Sequence, residues 1–296
     1  MVDLRCWAAR TSCYINDPRE PSSIQFSLHS TSSTHFPISS FTIANMSDST
    51  IVLITGVARG IGKALVEAYL SRPNHTVIGT VRDTTSPSLE TLNNHQPAPG
   101  SRLLLFTLES TNAEDYPKLT ASITAAGITH LDIVIPNAGL AYPGGSPATV
   151  AIKDVMNVFD VNAIGTLRLF QATRGLLEAS QGSPKWASMS SGAGSIGGCA
   201  EYGTSIVTPY ALSKAGMNWI TVGIHASEKW LVAFSIHPGL VQTEMGNKGA
   251  QLMGMEEAPN TVEEAITKTI ATIDGATREK TSGKYLNIID GTELPW

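Results

Sequence analysis

From Ile51 onward the apolar positions follow two alternating rhythms. Short, nearly continuous apolar runs occur at IVLIT (Ile51 to Thr55), HTVIGTV (His75 to Val81) and RLLLFTL (Arg102 to Leu108), and a fourth opens HLDIVIPNAG. WASMSS, WLVAFSIHPG and GKYLNI (Gly283 to Ile288) continue the series. Between them, GIGKALVEAYLSR carries apolar residues at helical spacing, and further helices are predicted over roughly Ile152 to Ser180 and Pro209 to Glu228. Strands that are apolar on both faces, alternating with helices, imply a parallel sheet covered on both sides. The predicted fold is therefore α/β, a single-domain, doubly wound, Rossmann-like sheet. Ligands of such sheets bind at the carboxyl ends of the strands, and every motif discussed below lies at one.

The first 46 residues break this pattern. PSSIQFSLHSTSSTHFPISSFTIAN is dominated by Ser and Thr and has neither period, so residues 1–46 read as a disordered extension before a domain over 47–296. A transit peptide would use Arg5, Arg10 and Arg19, but Asp3, Asp17 and Glu20 offset them. Met46, just before the first strand, is an alternative start.

Charge and composition remove several classes of function. A net charge of −5 with no Lys/Arg run leaves no electrostatic footprint for nucleic acid. No apolar stretch approaches the roughly 20 residues that span a bilayer, so no membrane association is expected. Cys6, Cys13 and Cys199 have no metal-ligand spacing; no metal and a reducing, cytoplasmic location are the simpler expectations.

Candidate chemistry begins at TGVARGIG, Thr55 to Gly62, between the first strand and its helix. A glycine-rich turn there lets backbone approach a pyrophosphate, and the helix N-terminus offers N–H donors and a positive dipole end. With TGxxxGIG in place, the chain resembles the short-chain dehydrogenase/reductase family. The resemblance continues in order with Asn137, Ala138 and Gly139 after the fourth strand, and with Asn162 in DVNAIGT. It is completed by Y-x-x-x-K at Tyr210 to Lys214 and by Pro238, Gly239, Val241 and Thr243. It implies a nicotinamide dinucleotide bound by Gly56, Arg59, Gly60, Ile61, Gly62, the Asn137–Gly139 turn, Tyr210, Lys214 and the Pro238–Thr243 segment. Glu109 and Ser110 would flank the adenine. Pro136 stands where many relatives have another Asn.

A cation after the second strand suits a ribose 2′-phosphate, whereas a carboxylate suits the free 2′-hydroxyl. Arg82 ends that strand and Arg59 lies in the glycine loop; forked guanidinium donors match phosphate, so NADPH/NADP is the expected cofactor. Asp83 remains either a ribose ligand or a partner of Arg82.

The chemistry itself is predicted at Tyr210. A phenol with a pKa near 10 is a poor acid at neutral pH, and a Lys ammonium one helical turn away lowers that pKa. Tyr210 and Lys214 have this spacing, so Tyr210 is the candidate general acid. By resemblance, Lys214 also holds the nicotinamide ribose, Asn162 fixes a relay water, and Ser191 hydrogen-bonds the substrate oxygen. Ser191 precedes Tyr210 by nineteen residues, a longer gap than the family's, and Ser195 stays open as the alternative. The extra residues, with Cys199, Glu201 and Tyr202, would wall the pocket.

The stretch around 244–260 corresponds to the family's variable substrate lid. Met245, Met253 and Met255 with Leu252 suggest an adaptable apolar wall or plain helix packing. HPGLVQTEMGNKGAQLMG and the ending DGTELPW resemble fungal norsolorinic acid ketoreductases. The expected function is reduction of a ketone on a hydrophobic, aromatic polyketide-type metabolite. An alcohol dehydrogenase running the reverse reaction and a non-catalytic dinucleotide sensor are the alternatives. The family resemblance leaves homodimer and homotetramer open.

Overall fold

Alternation along the first strand explains why helices cover both sides of the sheet. Ile51 and Leu53 face one layer and Val52 and Ile54 the other, all buried. The computed structural model describes residues 49–141 and 144–296; the extension read over residues 1–46 lies outside them. Its elements are β1 (Thr50–Thr55), α1 (Gly60–Leu70), β2 (His75–Val81), a short α2 (Glu90–Asn93), β3 (Arg102–Thr107), α3 (Asp115–Ala125) and β4 (Ile133–Ile135). Then follow α4 (Ile152–Phe159), α5 (Gly165–Glu178), β5 (Lys185–Met189), α6 (Thr208–Ser227), β6 (Val232–His237), α7 (Glu244–Leu252), α8 (Val262–Gly275) and β7 (Tyr285–Asn287).

All strand pairs are parallel, in the order β3-β2-β1-β4-β5-β6-β7. The chain leaves the β3 edge and re-enters beside β1 as β4. That reversal opens a crevice between the carboxyl ends of β1 and β4, where doubly wound sheets take their ligands. One core layer joins Leu65, Val66 and Tyr69 of α1 and Ile266 and Ile273 of α8 to the sheet. The other joins Leu119 and Ile123 of α3, Leu169 and Leu177 of α5 and Ile220 and Ile224 of α6. Trp186 is fully buried there, edge-on to Phe170.

The doubly wound sheet stands as read, with three local differences. The helix expected over Ile152 to Ser180 is interrupted: Asp160–Ile164 form a π-turn between α4 and α5. β5 stops at Met189, so Ser190 and Ser191 lie beyond the strand. Beyond the helices predicted from the sequence, the structure adds α2, α3, α7 and α8. α3 carries its buried residues at Tyr116, Leu119 and Ile123, a helical spacing. The side chain of Thr261 caps α8 by accepting from Glu264 N–H at 3.1 Å, a T-x-x-E start signal.

Candidate active site

The crevice between β1 and β4 is closed by one hydroxyl. Thr55 Oγ1 accepts from the N–H groups of Asn137 and Ala138, each at 3.0 Å. Asn137 Nδ2 donates back to the carbonyls of Thr55 (2.9 Å) and Gly56 (3.2 Å). The glycine loop and the Asn-Ala-Gly turn therefore form one unit. Gly56 has φ +71, and a Cβ there would lie 2.8 Å from Ala138 Cα. A Cβ on Gly62 would collide with the Asn137 side chain and the Gly56 carbonyl. Gly60 faces Thr243, and Ile61 is half-buried against the core. No side chain caps the start of α1, which leaves its first-turn N–H donors and dipole end directed toward the crevice. These residues fit a dinucleotide: backbone comes close, donors are unspent, and side chains are excluded by sterics.

Arg82 stands exposed just past β2. Asp83 is engaged neither by Arg82 nor by another strand. Its carboxylate accepts from Thr85 N–H (2.8 Å) and Thr85 Oγ1 (2.6 Å), which holds its pKa below the usual carboxylate value. Arg59 is exposed and ion-paired with Glu244, the first residue of α7. Glu109 and Ser110 follow β3 and are half-buried. The N–H of Glu109 donates to the Asp115 carboxylate at 3.1 Å, and the Ser110 carbonyl accepts from Tyr116 (2.8 Å) and Arg168 (3.2 Å).

Pro238 to Thr243 leave β6 through Gly239, whose φ of +86 and close approach to Asn260 and Ile289 require glycine. Val241 is buried, and Thr243 caps α7 by accepting from Gly246 N–H at 3.0 Å. Asn260 was missed by sequence reasoning. Its side chain accepts from Leu240 N–H (3.1 Å) and its carbonyl from Gln242 N–H (2.8 Å), pinning both ends of the α7 segment. A lone Asn in a loop carries no local signal of that role.

At the neighbouring strand end, Ser190 N–H still donates to Ile236 (2.8 Å), while Ser191 is extended with φ −163. The alternation persists: Ser190 is buried, and the half-buried Ser191 side chain hydrogen-bonds Tyr210. Ser191 Oγ also accepts from Ala193 N–H at 3.3 Å. Ser195 is used differently. Its buried hydroxyl donates to the Pro295 carbonyl and accepts from Gly198 N–H at 2.9 Å. The geometry thus brings Ser191, not Ser195, to Tyr210.

Lys214 departs from the expected arrangement. Its ammonium is buried, donates to the Met189 carbonyl at 2.7 Å, and sits 5.7 Å from the centre of the Tyr210 ring. Burial pushes Lys214 down to about 7. It also pushes Tyr210 up, with only the Ser191 hydrogen bond opposing. Burial thus outweighs the lowering anticipated at Tyr210.

Asn162 lies fully buried in the π-turn. It accepts from Leu140 N–H (2.8 Å) and donates to the Leu140 carbonyl (2.8 Å) and Ser213 Oγ (2.9 Å). It clamps the Asn-Ala-Gly turn to the helix bearing Tyr210. A Cβ on Gly139 would lie 3.2 Å from Asn162 Oδ1 and 3.7 Å from Lys214 Nζ, so turn, amide and ammonium share one corner.

Several large apolar side chains stand exposed. Met245, Leu252, Met253 and Met255 lie in or just after α7, and Ile196 and Ile206 lie in the enlarged loop before α6. Cys199 in the same loop is half-buried. Among the described residues no group of three potential metal ligands occurs, and no helix is long and apolar enough to cross a membrane.

The short chain dehydrogenase family model matches residues 50–252. A short-chain dehydrogenase, srdF, from Neurospora crassa is 46% identical over 255 residues, covering 85% of this chain and 99% of its own length. The norsolorinic acid ketoreductase of Aspergillus parasiticus is 37% identical over 252 residues, covering 84% of this chain and 92% of its own. Among solved structures, NADPH-bound carbonyl reductase from chicken fatty liver superposes with a TM-score of 0.73 at 27% identity, covering 84% of this chain and 94% of that one. With this family model and these relatives spanning most of its length, the chain belongs to the short-chain dehydrogenase family of oxidoreductases.

Proposed function

We propose that this protein is an NADPH-dependent ketoreductase that converts a ketone on a hydrophobic, aromatic polyketide-type metabolite to an alcohol. The observation that carries the proposal is the hydrogen-bonded Ser191–Tyr210 pair beside the glycine cradle, with Lys214 buried next to it. A nicotinamide held in the glycine cradle would supply the hydride that the carbonyl carbon accepts. Tyr210 gives its phenolic proton to the carbonyl oxygen, and Ser191 donates a hydrogen bond to that oxygen as negative charge gathers on it. Burial raises the Tyr210 phenol above its ordinary value, so it stands in the protonated form that an acid needs. With the cofactor bound, Lys214 would hold the nicotinamide ribose, and Asn162 would hold the corner through which the phenolate recovers a proton from solvent. Cradle contacts come from Gly56, Gly60, Ile61, Gly62, Asn137, Ala138, Gly139, Pro238, Gly239, Val241 and Thr243, with Glu109 and Ser110 flanking the adenine.

Arg82 supports the choice of NADPH over NADH, since Asp83 is occupied by Thr85 and leaves the guanidinium unopposed by that carboxylate. Arg59 contributes once it exchanges Glu244 for phosphate. The polyketide assignment is supported by the norsolorinic acid ketoreductase relatives and by the exposed methionines around α7, a surface that adapts to flat apolar ligands. Oxidation of NADPH in the presence of norsolorinic acid and a panel of aromatic ketones tests the reading. Turnover with NADPH is expected; tight NADPH binding without turnover on any ketone would instead establish a dinucleotide sensor.

A further inference from the structure

The enlarged loop before α6 is fastened by a segment a hundred residues further along the chain. After β7 the chain turns at Gly291, φ +79, and runs back antiparallel, with Leu286 bridged to Glu293 and Leu294 N–H donating to the Tyr285 carbonyl at 2.7 Å. This return delivers Pro295 and Trp296 onto the loop. The Pro295 carbonyl accepts from Ser195, and the Trp296 carbonyl accepts from Gly197 N–H at 2.8 Å. A Cβ on Gly197 would approach Pro295 Cβ to 3.0 Å, so loop and tail are in close contact. The Trp296 indole stacks on the Tyr285 ring, 5.2 Å between centroids and 21° between planes. At its other end the Tyr285 phenol donates to the Ser191 carbonyl.

Ser191 needs that support. It lies beyond the end of β5, and among the described residues its carbonyl is otherwise held by Gly194 N–H at 2.8 Å, within the same loop. The long loop between β5 and α6, residues 190–207, has more conformations to suppress than a short one, and the ladder bond from Ser190 N–H to Ile236 stops one residue short of Ser191. Tyr285 ties this strand end to β7, and Trp296 fixes the tilt of the Tyr285 ring by covering its face.

We propose that Tyr285 and Trp296 are positioning residues for Ser191: the stacked pair sets where the Ser191 backbone lies, and hence where its hydroxyl meets the substrate oxygen. The inference rests on the role given to Ser191 above. Neither residue touches substrate in this role; both act through Ser191.

The test uses the full chain with NADPH and norsolorinic acid. Tyr285→Phe keeps the ring and the stack but removes the donor, and is expected to lower kcat about tenfold while KM for NADPH stays within about twofold. Trp296→Ala should give a similar loss, and Trp296→Phe, which restores a flat ring, should recover most of it. In the Ser191→Ala background, Tyr285→Phe should cost nothing further, because the group being positioned is gone. A full additional tenfold loss in that background overturns the proposal, as does a lower thermal midpoint in Trp296→Ala with kcat unchanged. Should Trp296→Ala fail to fold, Tyr285→Phe decides alone: unchanged kcat beside a crippled Ser191→Ala rejects positioning and leaves the role of Ser191 intact. Near-normal turnover in Ser191→Ala itself rejects both readings, and it is recognised from that single variant.

Discussion

The cofactor cradle and the catalytic strand end lie close together on the sheet's carboxyl edge, yet they are assembled differently. In the cradle, Thr55 reaches Asn137 and Ala138 from β1 to the adjacent end of β4, and the remaining fit comes from places where a Cβ has no room. At the catalytic end, Ser191 depends on side chains from α6, β7 and the chain's last residues. The first region is defined by backbone shape and the second by side-chain chemistry. Substitutions in the cradle should therefore fail sterically and weaken binding, whereas those at the catalytic end should leave binding intact and slow the reaction.

The sharpest division is expected from Tyr210→Phe, which preserves the ring and removes the proton. Its kcat should fall by about 10³-fold or more, within the usual range for losing a general acid, with NADPH affinity by fluorescence titration nearly unchanged. A variant retaining near-normal rates would remove Tyr210 from the chemistry. Gly62→Ala is the complementary break. Its Cβ meets the Gly56 backbone and Asn137, so NADPH affinity should drop about 100-fold, accompanied by a lower thermal midpoint. Wild-type affinity would mean that the cradle tolerates a side chain and is not sterically defined.

A smaller effect tests cofactor choice. Arg82→Ala should weaken NADPH about tenfold and leave NADH almost untouched, the cost of one charge-assisted contact to phosphate. Equal weakening of both would reject the 2′-phosphate contact.

A separate effect concerns stability and pH. Lys214 titrates at about 7 in the folded chain against 10.5 when exposed, so between these values the unfolded chain holds more protons. Stability contributed by this group therefore rises as pH increases from about 7 toward 10, and the cost of burying the charge is felt in full below about 7. Lys214→Met should flatten that rise in thermal midpoint between pH 7 and 9. A slope identical to the wild type's would mean that the ammonium is not desolvated.

Much of this molecule could be read from one dimension. The seven runs read as strands became the seven strands; the five interior ones are buried almost throughout, while β3 and β7 at the sheet edges are only partly covered. The glycine motif and Asn137 to Gly139 came together because each is bound to a strand end that the topology makes adjacent. Local pattern failed where partners are distant. Nothing near Ser195 in sequence announces that its hydroxyl is taken by Pro295, and nothing near Lys214 announces the Met189 carbonyl that holds its ammonium. Asn260 escaped notice for the same reason: its bonds to Leu240 and Gln242 cross a whole helix.

The π-turn at Asp160–Ile164 limits how the chain can change length. A π-turn carries one residue more than the α-helical path it replaces, and one α-helical residue corresponds to a rotation of about 100°. Deleting a single residue there would heal the helix into a regular one while turning its two halves against each other. Asn162 on one half would then lose either Leu140 or Ser213, or Gly165 on the other would lose its seat against Ser110 and Tyr116. Elsewhere in a surface helix such a deletion shifts an exposed face; at this turn it would exchange a better helix for a dismantled corner of the site.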